Sequence, residues 1–388
     1  MLRLLIISDF TESFPVKLME GIVHYSRQKE QWAICRMPPA YKAKIGIPGV
    51  VRWAKDWGAD AVIGQFEQTD EVELFAQNGI VALAQDFKKR FRSIPNITAD
   101  YIGTGRMAAR FFLERGFRHF GFFGFNDVCW SDERCEGFRR EVEAHGFGES
   151  CYTYRLQEID QNWFYEKDNL SEWLRQVPKP IGIMACDDNQ GINLIEACHA
   201  IGIKVPGEVS VIGVDNDEML CSLGSTSLSS VHMNIQESGS RAAELIERMI
   251  ADPDMPLEDV AMTPVKVIER MSTAAYATDD QQIEKAILFI HRSIHKKIFV
   301  KDVMQEVALS RRLLEIRFKQ VTGKTLHQYI SDLKLKRFSE MLLDSDEPVV
   351  NLALSLGETD TKTISRQFRQ RYGLPPDEWR KRNKTQPS

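Results

Sequence analysis

The hydrophobic positions of this chain follow two different rhythms, and the change comes near residue 274. Up to that point short apolar runs alternate with longer segments whose apolar positions recur every three or four residues. The runs predict strands, most of them buried on both faces, at Leu2–Ile7, Trp32–Met37, Ala61–Ile63, Ile80–Ala84, His119–Phe123, Cys151–Arg155, Ile181–Ala185 and Val209–Val214. Between them the spacing predicts helices at Pro15–Tyr25, Val50–Trp57, Glu71–Gln77, Gly103–Arg115, Glu133–Ala144, Asn162–Arg175 and Gln190–His199. Strand–helix alternation predicts parallel, doubly wound sheets. The alternation restarts after the helix Gly103–Arg115, which predicts two α/β lobes. A last helix, Ile235–Ala251, and a strand, Val265–Ile268, return to complete them, and such crossings make a hinge.

Beyond residue 280 the strand runs stop and an internal repeat begins, offset by fifty residues. Leu314 falls on Ile364, Phe318 on Phe368, Lys319 on Arg369, Gly323 on Gly373 and Tyr329 on Trp379. Each copy reads as helix, turn, helix. Val300, Val303, Met304 and Val307 form the first stripe, and Ser310 caps a helix that buries Leu314 and Phe318. In the second copy Val350, Ala353 and Leu354 form the stripe, Gly357 makes the turn, and Asp360 caps a helix that buries Ile364 and Phe368. A helix from Tyr329 to Leu343 joins the copies. Two such units on one linking helix can reach successive major-groove segments about 34 Å apart. Arg311, Arg312 and Glu315 in the first unit, and Thr361, Lys362, Thr363 and Arg366 in the second, are the expected DNA-binding positions.

Charge sharpens the division. The 388 residues carry a net charge of −5, but residues 280–388 hold 21 Lys+Arg against 14 Asp+Glu, or +7, which leaves −12 for the rest. The basic end fits a polyanionic partner and the acidic remainder would repel one. Seven cysteines, an odd number without a CxxC pair, fit free thiols in a reducing cytoplasm. The apolar start is too short for a signal peptide, and no run approaches a membrane span.

Ligands in open α/β sheets bind beyond the carboxyl ends of strands. Those ends carry Asp187 and Asp188 after Ile181–Ala185, Asp215 after Val209–Val214, and Trp130 and Arg134 after His119–Phe123. Trp163 opens the helix after Cys151–Arg155, and Phe14, just before Pro15, joins the set. Carboxylates accept hydrogen bonds from vicinal hydroxyls, Arg donates to several oxygens, and a Trp face covers the C–H face of a sugar ring. The set suits a small polyol or sugar. Gly103-Thr104-Gly105-Arg106-Met107-Ala108 fits a dinucleotide fingerprint but reads as close helix packing. His291 and His295 lie four apart without the Glu of an HExxH motif, so no metal is expected, and no cofactor either.

Two resemblances add to this. The segment with Ala308-Leu309-Ser310, Phe318-Lys319, Thr322-Gly323, Phe368, Gly373, Pro376 and Trp379-Arg380 resembles the DNA-binding domain of AraC-type activators over about a hundred residues. It departs in having Glu358 where that family usually has an aromatic, and Ile364 where it often has Phe. Residues 1 to about 272, through Asp100-Tyr101-Ile102-Gly103, Gly182–Asp188 and Val209–Asp215, resemble the effector-binding domain of LacI-type repressors, without their N-terminal headpiece. In that family the positions matching Arg134, Trp163, Asp187 and Asp215 line a sugar pocket. The combined order, with Trp130-Ser131, Glu133-Arg134, Asn162-Trp163 and Val267-Ile268-Glu269-Arg270, resembles the bacterial xylose operon regulators.

The resemblance implies a periplasmic-binding-protein-like (type I) α/β region over 1–273, a linker at 274–280, and an all-α double helix-turn-helix domain over 281–384. It implies a cytoplasmic, sugar-responsive activator, with promoter DNA, a sugar (xylose), RNA polymerase and a second copy of the chain as partners. The alternatives are an enzyme of sugar or cofactor metabolism with Asp187 or Asp215 catalytic, and a regulator sensing another sugar or a protein.

Overall fold

Five residues of nearly unbroken hydrophobicity, Arg3–Ile7, form β1, an inner strand of a sheet buried on both faces. The structure, a computed structural model, describes residues 1–29, 31–157, 167–278, 280–358 and 360–385. From β1 the chain continues through α1 (Ser13–Arg27), β2 (Ala33–Met37), α2 (Pro39–Trp57), β3 (Ala61–Gln65), α3 (Glu73–Gln77), β4 (Val81–Gln85) and β5 (Asn96–Ala99). It crosses through α4 (Tyr101–Leu113) into a second lobe. There it runs β6 (His119–Phe125), α5 (Cys129–Ala144), β7 (Cys151–Leu156), α6 (Lys167–Gln176), β8 (Ile181–Ala185), α7 (Asp188–Ala200), β9 (Val209–Val214), α8 (Glu218–Leu223) and β10 (Ser229–Met233). α9 (Ile235–Ala251) returns to pack on α1, β11 (Val260–Met262) joins the first sheet, and β12 (Pro264–Ile268) closes the second.

The first sheet has the order β11-β5-β4-β3-β1-β2 and is parallel throughout. The second has the order β12-β10-β9-β8-β6-β7, with only β12 antiparallel. Three crossings near Asp100, Asn234 and Thr263 form the hinge. They are tied together: Asp100 N–H donates to Met262 O at 2.8 Å, and Thr263 N–H to Asn234 Oδ1 at 2.7 Å. α4 and α5 pack so closely that a Cβ at Gly105 would lie 2.1 Å from Arg134 O. In the apparent dinucleotide fingerprint Gly105 therefore serves helix packing, and Gly103 leaves room for the Asp100 cap that accepts from its N–H.

Four elements escape the hydrophobic pattern. β10 begins Ser229-Ser230, yet both serines are fully buried, because Ser229 Oγ bonds Arg270 O and Ser230 Oγ bonds Asp188. β5 carries Asn96 and Thr98, again buried and bonded. β11 is three residues long and α8 six. α2 starts eleven residues before the expected Val50 and bends at Gly46, whose φ of 65° breaks the helix without ending it.

The helical region comprises α10 (Gln281–Arg292), α11 (Val300–Glu306), α12 (Arg311–Thr322), α13 (Leu326–Asp344), α14 (Val349–Ser355), α15 (Thr361–Tyr372) and α16 (Pro376–Thr385). It holds two cores. α10, α11, α12 and the start of α13 enclose Leu314 and Phe318, while the rest of α13 with α14, α15 and α16 encloses Ile364 and Phe368. The repeat is exact in its joints. Phe318 meets Tyr329 edge-on at 5.3 Å and 83°, and Phe368 meets Trp379 at 5.4 Å and 83°. Gly323 and Gly373 end α12 and α15 with φ of 72° and 79°, as a left-handed C-cap requires. Glu358 has a reason for replacing an aromatic: it receives Lys334 Nζ at 2.6 Å, and Lys334 is only 6% exposed. Gly357 lies against the loop before α11, where a Cβ would meet backbone atoms of Lys296 and Lys297 at 2.3 and 2.4 Å. Residues 274–277 form no free tether. Ala274 and Ala275 are buried, and Ala277 N–H donates to Arg115 O.

Candidate functional site

Two places gather the chemistry: the cleft between the lobes, and the exposed faces of α12 and α15. In the cleft, β8 and β9 end in Asp187 and Asp215, held by different devices. Asp187 caps α7 by accepting from Gln190 N–H at 2.7 Å, and burial, aided by Asp215, pushes it up to about 6. Asp215 and Asn216 take positive φ of 92° and 51°, turning the loop sharply as β9 ends. Their carbonyls receive Lys17 Nζ from the other lobe at 2.8 and 2.7 Å.

Arg134 reaches this point from α5. It is 5% exposed, donates through Nη1 to Cys186 O at 2.5 Å, and stands 3.4 Å from Asp215 Oδ1. Its guanidinium lies 5.3 Å from the Trp130 ring centre and 5.2 Å from that of Tyr101. Among the described residues its Nε is one of few buried side-chain atoms with no hydrogen-bond partner. A buried donor left open beside two strand-end carboxylates is a place for a ligand oxygen. Phe14 sits half-buried in the first turn of α1 against the core. Trp163 lies outside the described residues.

Asp188 requires a correction. It is 3% exposed, and both its oxygens are taken, Oδ1 by Ser230 Oγ at 2.6 Å and Oδ2 by Asp217 N–H at 2.7 Å. Burial pushes it up to about 8, and its work is to hold the Asp217 loop to β10 beneath the cleft. Adjacency to Asp187 concealed this, because successive residues at a helix start point in different directions.

Several groups facing the cleft were not anticipated. Asp86 follows β4, has its Oδ1 buried without a partner, and gives Oδ2 to Arg90. Arg90 clasps Glu133 of the other lobe through two bonds of 2.7 and 2.9 Å. Withdrawal from water, with Asp187, Asp9 and Asp215 nearby, pushes Glu12 up to about 7, and Asn189 donates to it at 2.8 Å across the lobes. His232 on β10 leaves Nδ1 buried and unpartnered, and burial lowers it to about 4. The strand-end argument that picked Asp187 and Asp215 would have picked Asp86. Nothing local marks Lys17 or His232.

On α12 the exposed face runs Arg311, Arg312, Leu313, Glu315, Ile316 and Lys319. Arg311 and Glu315 pair with each other at 3.1 Å, which leaves Arg312 as the uncommitted cation at the helix start. On α15 Lys362 and Arg366 are exposed, Thr361 is half-buried, and Thr363 lends its hydroxyl to the Asp360 cap at 2.7 Å. His291 donates to or accepts from Tyr329 Oη at 2.9 Å, and burial lowers it to about 4. This accounts for it without a metal.

Residues 109–273 match the periplasmic binding protein-like domain, and residues 303–382 match a helix-turn-helix domain. The chain is 30% identical over 330 residues to the xylose operon regulatory protein of Haemophilus influenzae, covering 83% of this chain and 84% of that one. It is 27% identical to the Escherichia coli K12 protein of the same name, covering 97% and 96%. The solved structure of a xylose-binding transcription activator, xylR, has the same fold, with a TM-score of 0.64 at 24% identity over 97% of each chain. A two-lobed α/β region followed by a duplicated helix-turn-helix, matched along nearly its whole length, makes this chain a member of the xylose operon regulatory protein family.

Proposed function

We propose that this protein is a sugar-responsive transcriptional activator that binds promoter DNA and takes D-xylose as its effector. The observation that carries the reading is the make-up of the cleft. Glu12, Asp86, Asp187 and Asp215 supply acceptors, Arg134 supplies an open donor, and the half-buried Trp130 stands beside it. So acidic a site repels sugar phosphates and sugar acids and favours a neutral polyol, whose hydroxyls donate to the carboxylates. The names of the relatives narrow the polyol to xylose. Contacts to both lobes favour the closed state, and the ligand shifts the population by its differential affinity.

In this reading residues 1–273 sense the sugar and residues 281–384 bind DNA, joined by 274–280, in a cytoplasmic homodimer that engages RNA polymerase. Thermal shift across pentoses and hexoses tests it. A sugar present at 100 times its dissociation constant stabilises the protein by about 2.7 kcal/mol. The Asp215→Ala variant is expected to lose that shift while keeping its sugar-free DNA affinity. Turnover of any bound sugar would instead make the protein an enzyme.

A further inference from the structure

We propose that the dipeptide Glu269–Arg270 is the link that carries lobe closure to the DNA-binding helices. The proposal rests on the sugar-responsive reading above. The two side chains leave the end of β12 toward different parts of the molecule. Arg270 reaches the cleft loop: Nη2 donates to Asn216 Oδ1 at 2.8 Å and Nη1 to Leu228 O at 2.9 Å. Its backbone is pinned as well, because Arg270 N–H donates to Ser229 Oγ at 2.7 Å. Glu269 reaches the helical region. Its carboxylate receives Arg115 Nη2 at 2.5 Å and Lys336 Nζ from α13, the helix common to both helix-turn-helix cores. Burial alone would raise Glu269, but Arg115 and Lys336 hold it down at about 2, so it stays ionised between them.

The Asn216 end of this link depends on closure. The Asp215–Asn216 carbonyls bond Lys17 of the first lobe, so opening the cleft removes that donor from the loop Arg270 grips. The α13 end is free to respond. Two grooves of about 550 and 220 Å³ flank Lys336, the first between α4, β12 and α13, the second bordered by Tyr276, Tyr329 and Asp332. α13 thus meets the α/β region here through the Lys336 bonds to Glu269 and Val267 O and the Tyr276–Tyr329 ring contact, beside open grooves. It can shift without tearing apart a close-packed core. Lys17, Asn216, Arg270, Glu269 and Lys336 form a continuous path from one lobe, through the other, to the DNA-binding helices.

Full-length Lys336→Met and Glu269→Gln variants test the link by two readouts. In the sugar-free protein, hydrogen exchange at the Asn216 and Asp217 amides is expected to quicken at least severalfold in both variants, though neither substitution touches that loop. In DNA-binding titrations with and without D-xylose, both variants are expected to bind xylose within twofold of the unaltered protein and to bind DNA as it does without sugar. The factor by which xylose changes DNA affinity, commonly 5–150-fold in coupled systems, is expected to fall toward one. Unchanged exchange at Asn216 and Asp217, or an unchanged xylose factor, overturns the proposal. An unaltered protein that binds no sugar overturns the functional reading instead, and the exchange result then decides the link by itself.

Discussion

The two helix-turn-helix units share one scaffold and present different surfaces. The aromatic joint, the glycine C-cap and the capped start of the second helix recur at fifty-residue spacing with nearly the same geometry. The exposed faces diverge. Arg312, Leu313 and Ile316 lie on α12, with Leu313 and Ile316 37% and 47% exposed, where α15 has Lys362, Thr363 and Arg366. Packing constrains the buried half of each helix to one solution and leaves the solvent half open to a separate purpose. An exposed apolar residue on such a helix suits thymine methyls, and Arg suits guanine. Under the proposed function the first unit is expected to add an apolar element to its reading, and the second to read with a cationic and polar face.

The equivalence of the cores is the first thing to break. Phe318→Ala and Phe368→Ala are each expected to cost about 3–5 kcal/mol in denaturant unfolding. Their aromatic clusters are separate, so the double variant is expected to add within about 0.5 kcal/mol. A larger coupling would make them one core. The exception to the equivalence comes next. Glu358→Ala strands buried Lys334, which keeps only its bond to Leu356 O, and is expected to cost about 3 kcal/mol, whereas Glu358→Phe with Lys334→Met is expected to be neutral or stabilising.

The faces are separated by smaller effects. Arg312→Ala and Arg366→Ala are expected to lose about 1–3 kcal/mol of discrimination, each at a different segment of the site. Ile316→Ala is expected to relax a thymine preference in the first segment alone, by about 1 kcal/mol. Binding-site selection reads all three, and a wild-type consensus from Arg312→Ala and Arg366→Ala would remove these helices from base contact. Smallest is Lys362→Ala, expected to weaken all sequences alike and to lower the salt slope by about one unit.

What could be read from the sequence follows from where the partners lie. The repeat was legible because caps, glycines and aromatics act over a few residues, and most strands because both their faces are apolar. β10 was not, since its serines are satisfied by Arg270 and Asp188, forty residues away. In the cleft, Asp187, Asp215 and Arg134 were legible as strand-end chemistry. Lys17 meets its carbonyls 198 and 199 residues along the chain, and only the folded lobes bring them together. Asp188 misled for the same reason: its place at a strand end suggested a ligand contact, and Ser230 and Asp217, 42 and 29 residues along the chain, occupy both its oxygens.

The contact of Gly357 with the Lys296–Lys297 backbone makes the duplicated region a ruler. With no room for even a methyl group there, and with α13 running through both cores, the second unit cannot close further on the first. One base pair inserted between the two segments of the site moves the second by about 3.4 Å and turns it by about 34° around the duplex. Two units joined through one helix and this close contact are expected to resist such a turn. The DNA must twist to fit or the second unit must let go, so spacing is set by this joint as firmly as bases are set by the side chains.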